Sequence, residues 1–272
     1  MPAPRGPIVL VGCGKMGGAL LDGWLARGLP PGEVSIVEPS DTLRARAAER
    51  GVRAVASAVD LPRDLVPNAV LFAVKPQMMA EVLPAYRDLI ARGPAVVSIA
   101  AGTKSARFVE AFGPATAVIR AMPNTPASIG QGASVLWANT RTSPGQRALA
   151  ASLLEAVGRV HWIDDEEAMH AVTALSGSGP AYVFHLIEAL TSAGVRAGLP
   201  AELAEALARA TVEGAGALAA ASDKPAAELR RDVTSPGGTT EAGLAVLAAP
   251  EGLAALLEKT VAVAAARSRE LE

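Results

Sequence analysis

The segment Pro7-Ile8-Val9-Leu10-Val11-Gly12-Cys13-Gly14-Lys15-Met16-Gly17 decides the fold, because it joins a β-branched run to a glycine pattern and then to a helical pattern. The spacing G-x-G-x-x-G is typical of a dinucleotide-binding turn when it follows a strand and opens a helix. The first glycine permits the tight turn, the second lets the backbone approach a pyrophosphate, and the third lets helix and strand pack closely. The segment therefore predicts the start of a parallel sheet and a nucleotide site.

Short β-branched runs alternate with helical patterns as far as residue 163, which favours a Rossmann-type doubly wound parallel sheet in domain 1–163. The predicted strands are 7–11, 34–37, 69–74, 95–99, 116–120, 133–137 and 159–163. The predicted helices are 15–27, 41–50, 77–91, 104–112 and 143–157. After residue 163 the remaining patterns are helical, so the sequence predicts an all-helical second domain, 164–272. The fold class is therefore α/β with a helical domain at the C-terminal end.

Composition excludes several classes of protein. The net charge is −2 and only 3% of residues are aromatic, so neither a basic stripe nor stacking platforms indicate a nucleic-acid partner. A membrane partner is not expected, because no apolar stretch is long enough to cross a bilayer. Cys13 is the one cysteine, which excludes an internal disulfide and a cysteine zinc site. We expect a cytoplasmic protein. The alanine-rich helices predict a homo-oligomer, with a thin-cored monomer as the alternative.

Five residues of the glycine turn are predicted to bind the cofactor together with the N-terminus of the helix that follows, whose N–H groups favour phosphate. They are Gly12, Gly14, Lys15, Met16 and Gly17. Cys13 is predicted to be a buried filler rather than a nucleophile.

Glu38 ends the second strand, where an acidic residue normally binds the ribose hydroxyls of NAD and disfavours the extra phosphate of NADP. The alternative is a solvated charge at a strand end. Ser40, Arg44 and Arg46 lie close in sequence and suit a phosphate instead. We therefore predict NADH or NADPH as cofactor, with a weak preference for NADH.

Two further loops follow predicted strands, at the carboxyl ends where open α/β sheets bind ligands. The first supplies Val74, Lys75 and Pro76 as predicted cofactor contacts, although Lys75 could also be an ordinary surface lysine. The second carries Asn124 between two prolines, and its amide can offer both a donor and an acceptor. We predict that Asn124 belongs to the nicotinamide pocket.

The remaining titratable groups do not form an acid–base pair. The acidic run 164–167 is predicted to be a solvated helix start rather than a metal site. His161, His170 and His185 are not predicted to be catalytic.

Three strings carry a resemblance to a known family: Val74-Lys75-Pro76-Gln77, Leu175-Ser176-Gly177-Ser178-Gly179-Pro180-Ala181-Tyr182 and Asp232-Val233-Thr234-Ser235-Pro236-Gly237-Gly238-Thr239-Thr240. With the glycine turn and the run 122–126, they resemble pyrroline-5-carboxylate reductase over nearly the whole chain. The resemblance implies reduction of 1-pyrroline-5-carboxylate to L-proline, the last step of proline synthesis, by hydride from NAD(P)H. It also implies a helical domain that dimerises, further assembly up to a decamer, and a substrate loop contributed by the partner. The Ser176 and Ser178 segment is interpreted as packing.

The loop Ser235–Thr240 suits the carboxylate of a cyclic imino acid. Gly237 and Gly238 let backbone N–H groups crowd around an anion, while Ser235 and Thr239 supply further donors. Thr240 matches the family position whose hydroxyl lies near the imine nitrogen, and we predict it as the catalytic residue. A plain helix cap is the alternative reading of this loop.

Two rival functions remain open from the sequence. A β-hydroxyacid dehydrogenase, or another imine oxidoreductase with a Rossmann and a helical domain, is one of them. The former would need a catalytic lysine in the helical half, where only Lys224 and Lys259 are available. A non-catalytic NAD(P)-binding regulator is the other, and the intact Ser235–Thr240 loop argues against it.

Overall fold

The computed structural model describes residues 6–272, and eight strands among them form one sheet in the order β3-β2-β1-β4-β5-β6-β7-β8. The strands are β1 (Ile8–Val11), β2 (Val34–Val37), β3 (Arg53–Val55), β4 (Ala69–Phe72), β5 (Ala95–Ser98), β6 (Val118–Met122), β7 (Gly132–Ala138) and β8 (Gly158–Trp162).

Twelve α-helices are present in residues 6–272. They are α1 (Lys15–Ala26), α2 (Asp41–Ala48), α3 (Met79–Val82), α4 (Arg87–Ile90), α5 (Ser105–Phe112), α6 (Pro144–Glu155), α7 (Met169–Val172), α8 (Gly179–Arg196), α9 (Ala201–Ala221), α10 (Ala226–Asp232), α11 (Thr239–Leu247) and α12 (Leu253–Glu270). A single π-helical turn, Thr173–Gly177, precedes α8.

Strands β1 to β6 run parallel, and β7 is antiparallel to β6. β1 pairs with β2 on one side and with β4 on the other, so the strand order reverses between β1 and β4. Open α/β sheets bind ligands outside the carboxyl ends of their strands at such a reversal. The predicted parallel sheet followed by a helical region is confirmed except for β7, which runs antiparallel to β6. The glycine turn lies at the reversal of strand order.

The sheet is buried on both faces, which explains its continuous β-branched strands. All four residues of β1, β2, β4 and β5 are buried. On one face Trp24 is fully buried and its Nε1 donates to the carbonyl of Leu153 at 2.8 Å. On the other face Phe72 contacts Tyr86 edge-on, with ring centroids 5.2 Å apart. Each such side chain stabilises the fold by about 1.5–3 kcal/mol, so these packed faces hold the strand ends in place.

Two elements differ from the sequence prediction. β3 was not predicted, because only three residues pair at the sheet edge and Val55 is their one β-branched member. The predicted helix 77–91 is instead split into α3 and α4 by the 3₁₀ turn Leu83–Tyr86, which has Pro84 near its start. Proline lacks the N–H that a continuous helix requires.

The chain forms two compact units. One extends to Gly177 and also contains Ala264–Glu272, whereas the other is Ser178–Val263. The sequence-based boundary near residue 163 therefore lies inside the first unit, and it stays a proposal about where the helical domain begins. None of the helices in residues 6–272 is both long and apolar enough to cross a membrane.

Candidate active site

The glycine turn has the geometry that its sequence pattern requires. Gly12 has φ +90°, a left-handed conformation that favours glycine, and its N–H donates to the carbonyl of Val37 at 2.8 Å. A Cβ on Gly17 would lie 2.3 Å from the carbonyl oxygen of Gly12, so only glycine fits there. A Cβ on Gly14 would meet nothing within 4 Å. The exposed side of Gly14 therefore leaves space for a pyrophosphate.

The N-terminus of α1 is free to bind an anion. No side chain caps it, and its first turn contains no acidic residue. Lys15 is exposed at its first position and Met16 is half-buried. Unpaired N–H groups and a positive dipole end attract phosphate, so the turn and α1 together fit a dinucleotide.

Glu38 is buried and its carboxylate is hydrogen-bonded to the backbone of the glycine turn. Its Oε2 accepts a hydrogen bond from the N–H of Cys13 at 2.7 Å, and its Oε1 accepts one from the N–H of Ser40 at 2.9 Å. The alternative of a solvated strand-end charge does not fit this burial. Desolvation of the Cys13 thiol raises its pKa and the nearby Glu38 carboxylate raises it further, which agrees with the interpretation of Cys13 as a filler.

Two arginines near Glu38 occupy different environments. The guanidinium of Arg44 donates to the carbonyls of Glu38 and Pro39 at 3.0 and 3.1 Å and forms an ion pair with Asp41. Arg46 lines a cavity of about 290 Å³ that also borders the glycine turn. Arg44 is therefore largely committed to its own turn, whereas Arg46 lines this cavity together with Lys15 and Arg50.

The loop after β4 packs directly against the glycine turn. Ala73 donates to the carbonyl of Val11 at 2.8 Å, and a Cβ on Gly12 would lie 3.0 Å from Cγ1 of Val74. Lys75 is exposed and precedes the short 3₁₀ turn Pro76–Met78. The structure thus brings Val74, Lys75 and Pro76 to the same edge as the glycine turn.

Asn124 follows β6 at the same edge, but backbone groups already occupy its amide. Its Nδ2 donates to the carbonyl of Ser176 at 3.2 Å, and its Oδ1 accepts from the N–H of Ala133 at 2.9 Å. Asn124 therefore ties the end of β6 to the π-helical turn. Its predicted contact with nicotinamide stays a prediction.

The interpretation of the acidic run as wholly solvated is wrong for Glu166. Its Oε1 lies 2.9 Å from Nη1 of the buried Arg120 on β6. The same oxygen accepts a hydrogen bond from the N–H of Ser105, and Oε2 accepts one from the Ser105 hydroxyl at 2.6 Å. The sequence signal that could have indicated this pair was an arginine inside an apolar strand.

The loop Ser235–Thr240 belongs to the second unit, and both of its glycine N–H groups already have acceptors. Gly237, in a left-handed conformation, donates to Oε2 of Glu241 at 2.7 Å, and Gly238 donates to the carbonyl of Ser235 at 3.0 Å. No side chain caps α11, which starts at Thr239. Donors for an anion therefore come from the first turn of α11 and from the exposed hydroxyls of Ser235, Thr239 and Thr240.

Comparisons with known proteins agree with this arrangement. A family model described as pyrroline-5-carboxylate reductase dimerisation matches residues 166–271, and one described as NADP oxidoreductase, coenzyme F420-dependent, matches residues 7–102. A pyrroline-5-carboxylate reductase of Pseudomonas aeruginosa is 42% identical over 272 residues, covering 100% of this chain and 98% of the relative. The chain belongs to the pyrroline-5-carboxylate reductase family.

Solved structures extend the likeness to the whole fold. A pyrroline-5-carboxylate reductase from Coxiella burnetii has a TM-score of 0.93 at 34% identity and covers 98% of each chain. The enzyme of Plasmodium falciparum, solved with NADP bound, has a TM-score of 0.82 at 28% identity and covers 100% of this chain and 99% of the other. Membership of the pyrroline-5-carboxylate reductase family confirms the prediction of an NAD(P)H-dependent oxidoreductase of proline biosynthesis.

The two lysines that a β-hydroxyacid dehydrogenase could use are not placed for that role. Nζ of Lys224 lies 2.7 Å from Oδ2 of Asp232, and this hydrogen bond raises the pKa of Lys224. Lys259 is exposed on α12. A lysine held in its charged form by a carboxylate is a poor general base.

Proposed function

We propose that this chain carries out its family's reaction at the carboxyl edge of the sheet, reducing 1-pyrroline-5-carboxylate to L-proline with hydride from NAD(P)H. The observation that carries the proposal is that two helices begin without a capping side chain. One is α1, which follows the glycine turn with Gly12 in a left-handed conformation. The other is α11 of the second unit, which begins with two hydroxyl-bearing residues. The first suits a dinucleotide and the second suits a small carboxylate.

Eleven residues would hold the cofactor, and the bound nicotinamide supplies the hydride. They are Gly12, Gly14, Lys15, Met16, Gly17, Glu38, Ser40, Val74, Lys75, Pro76 and Asn124. The fixed carboxylate of Glu38 disfavours a ribose phosphate, and Arg44 is engaged by Asp41, so we propose a preference for NADH. Arg46 beside the open cavity favours NADPH instead, and the balance of these charges sets the ratio.

The loop Ser235–Thr240 would bind and orient the substrate. The first-turn N–H groups of α11 and the hydroxyls of Ser235 and Thr239 bind the ring carboxylate. Gly237 and Gly238 shape the turn that aims those donors. The Thr240 hydroxyl contacts the ring nitrogen. Hydride adds to the C=N carbon, the π electron pair moves to the protonated nitrogen, and the product is the secondary amine of proline, so orientation is the main task of the protein.

We further propose that the chain acts as a cytoplasmic homodimer that assembles further, up to the decamer implied by the resemblance, with the substrate loop contributed by the partner. Large apolar side chains on the helices of the second unit support an oligomer, because Leu186, Leu190, Leu203 and Leu207 are each more than two-fifths exposed. Exposed apolar patches of this kind mark association surfaces.

A direct assay tests the function. The purified chain is mixed with NADH or NADPH, with and without 1-pyrroline-5-carboxylate, while nicotinamide oxidation and proline formation are both measured. We expect oxidation to depend on the imine and to match proline formation one to one. A chain that binds cofactor yet forms no proline would instead support the regulator, and turnover of a β-hydroxyacid would support the rival dehydrogenase.

A further inference from the structure

The last residues of the chain contact a loop at the cofactor edge. The loop Ile99–Lys104 follows β5, and Gly102 in it has φ +67°. A Cβ on Gly102 would lie 3.3 Å from the carbonyl oxygen of Leu271 and 3.5 Å from its Cβ. The residues Ala264–Glu272 belong to the same compact unit as this loop. The C-terminal segment therefore lies against the loop itself.

Ion pairs stabilise the contact between this loop and the C-terminal segment. Nζ of Lys104, which ends the loop, lies 2.8 Å from Oε2 of Glu272 and 2.9 Å from Oε1 of Glu167. The hydrogen bond to Glu272 raises the pKa of Lys104 most, and the bond to Glu167 adds to it, so the lysine stays charged. One cation thus joins the loop to two segments that are distant in sequence.

His170 joins those two segments to each other. It is 1% exposed, and its Nδ1 lies 3.0 Å from the hydroxyl of Ser268. Its Nε2 lies 3.1 Å from Oε1 of Glu272, a close approach that lacks the alignment of a hydrogen bond. Together with the two ion pairs of Lys104, these contacts connect five side chains into one cluster. We name Lys104, Glu167, His170, Ser268 and Glu272 the C-terminal anchor.

The position of the loop gives the anchor a consequence for the reaction. A dinucleotide crosses the strand-order reversal, with its adenine half beside β1 and β2 and its nicotinamide half beyond β4. The next strand on that side is β5, and its loop has three small residues, Ala100, Ala101 and Gly102, between Ile99 and Thr103. Because this central stretch has no large side chain of its own to pack, its shape depends on contacts from other segments.

We propose that the C-terminal anchor is a positioning device that fixes the loop Ile99–Lys104 on the nicotinamide half of the site and so sets the rate of hydride transfer. The inference rests on the proposed function. In this proposal Lys104 acts as a positioning residue, through Glu167 and Glu272. Hydride transfer requires close alignment of two carbons, and a displacement of about 1 Å can cost as much as 10²-fold in rate. The adenine half is held elsewhere, so cofactor affinity depends little on the anchor.

The test combines a rate with a measurement on the cofactor-free protein. In single turnovers with 1-pyrroline-5-carboxylate, Lys104→Met lowers the rate of nicotinamide oxidation at least ~5-fold while the cofactor Kd changes less than ~2-fold, and Lys104→Arg keeps more than about half of the rate. In the cofactor-free protein, Glu272→Gln accelerates amide hydrogen exchange at residues 99–106 by roughly tenfold or more. Arg209→Met, which breaks an exposed ion pair with Glu205 on α9, is the matched control and changes neither quantity.

The outcomes separate the two proposals. Parental rate and parental exchange in these variants would overturn the anchor, as would equal losses of rate, cofactor affinity and thermal stability, which indicate a purely structural role. If Lys104→Met does not fold, Glu272→Gln supplies both readouts, because it removes the charge and keeps the side-chain shape. A parent chain without proline formation would remove the proposed function, while the exchange measurement still decides whether the anchor holds the loop.

Discussion

Oε2 of Glu38 accepts a 2.7 Å hydrogen bond from the backbone N–H of Cys13, so the acidic residue that ends β2 also holds the glycine turn that follows β1. The other oxygen, Oε1, accepts from Ser40 at 2.9 Å. One buried carboxylate therefore couples the shape of the glycine turn to the charge at the position proposed for the adenine ribose. A substitution of Glu38 changes both the stability of the turn and the charge. Thermal unfolding measures the first effect, and kinetics with NADH and with NADPH measure the second.

Glu38→Ser is expected to shift the preference towards NADPH. Removing the carboxylate removes its repulsion of a ribose phosphate, and the ratio of kcat/KM for NADPH to that for NADH rises by about tenfold, or ~1.4 kcal/mol. The N–H of Cys13 loses its acceptor, which costs about 1–3 kcal/mol of stability. Steady-state kinetics with each cofactor and thermal unfolding check both effects. A lower Tm with an unchanged cofactor ratio would show that Glu38 only supports the turn.

Thr240→Ala is expected to lower kcat by ~10–100-fold, because the hydroxyl that is proposed to orient the ring nitrogen is lost. Thr240 is exposed in the second position of α11, so the free energy of unfolding changes little. Thr240→Ser keeps the hydroxyl and is the matched control, with most of the activity retained. Equal activity of the alanine and serine variants would remove Thr240 from the mechanism.

Glu241→Gln is expected to strengthen substrate binding. Oε2 of Glu241 accepts from the N–H of Gly237, so a resident carboxylate already lies in the turn that is proposed to bind the substrate carboxylate. Two like charges about 4 Å apart in water repel by about 1 kcal/mol, which corresponds to a roughly fivefold lower KM once one of them is neutralised. Glutamine retains an acceptor for Gly237, so the turn keeps its shape. A KM that rises instead would show that the negative charge stabilises the turn in its binding conformation.

Local pattern predicted the strands and the glycine turn because both are set by neighbouring residues. The four buried residues of β1 and the left-handed Gly12 needed only chain-local information. For contacts between distant segments, the identity of the partner was not predictable. The pairing of Arg120 with Glu166 spans 46 positions, and the covering of Gly102 by Leu271 depends on where the last helix ends. The edge strand β3 was missed because its pairing partner, not its composition, makes it a strand.

The buried pair of Arg120 and Glu166 gives the largest expected effect on stability. Arg120 is 6% exposed within β6, and Glu166 also binds the N–H and hydroxyl of Ser105, so the pair connects the sheet to the start of α5. Arg120→Met leaves a largely buried carboxylate without its cation, which costs about 3–5 kcal/mol. Chemical denaturation of Arg120→Met, Glu166→Gln and the double variant measures the coupling between the two positions.

The exposed pair of Arg209 and Glu205 is the control for that series, since loss of a solvated ion pair on a helix costs less than about 1 kcal/mol. Each single variant leaves the other member of the buried pair without its partner. The double variant should therefore be more stable than the sum of the two single losses implies. Strict additivity, or a loss in Arg120→Met no larger than in Arg209→Met, would mean that Arg120 and Glu166 do not interact in the folded protein. In that case the start of α5 is held by the hydrogen bonds of Ser105 alone.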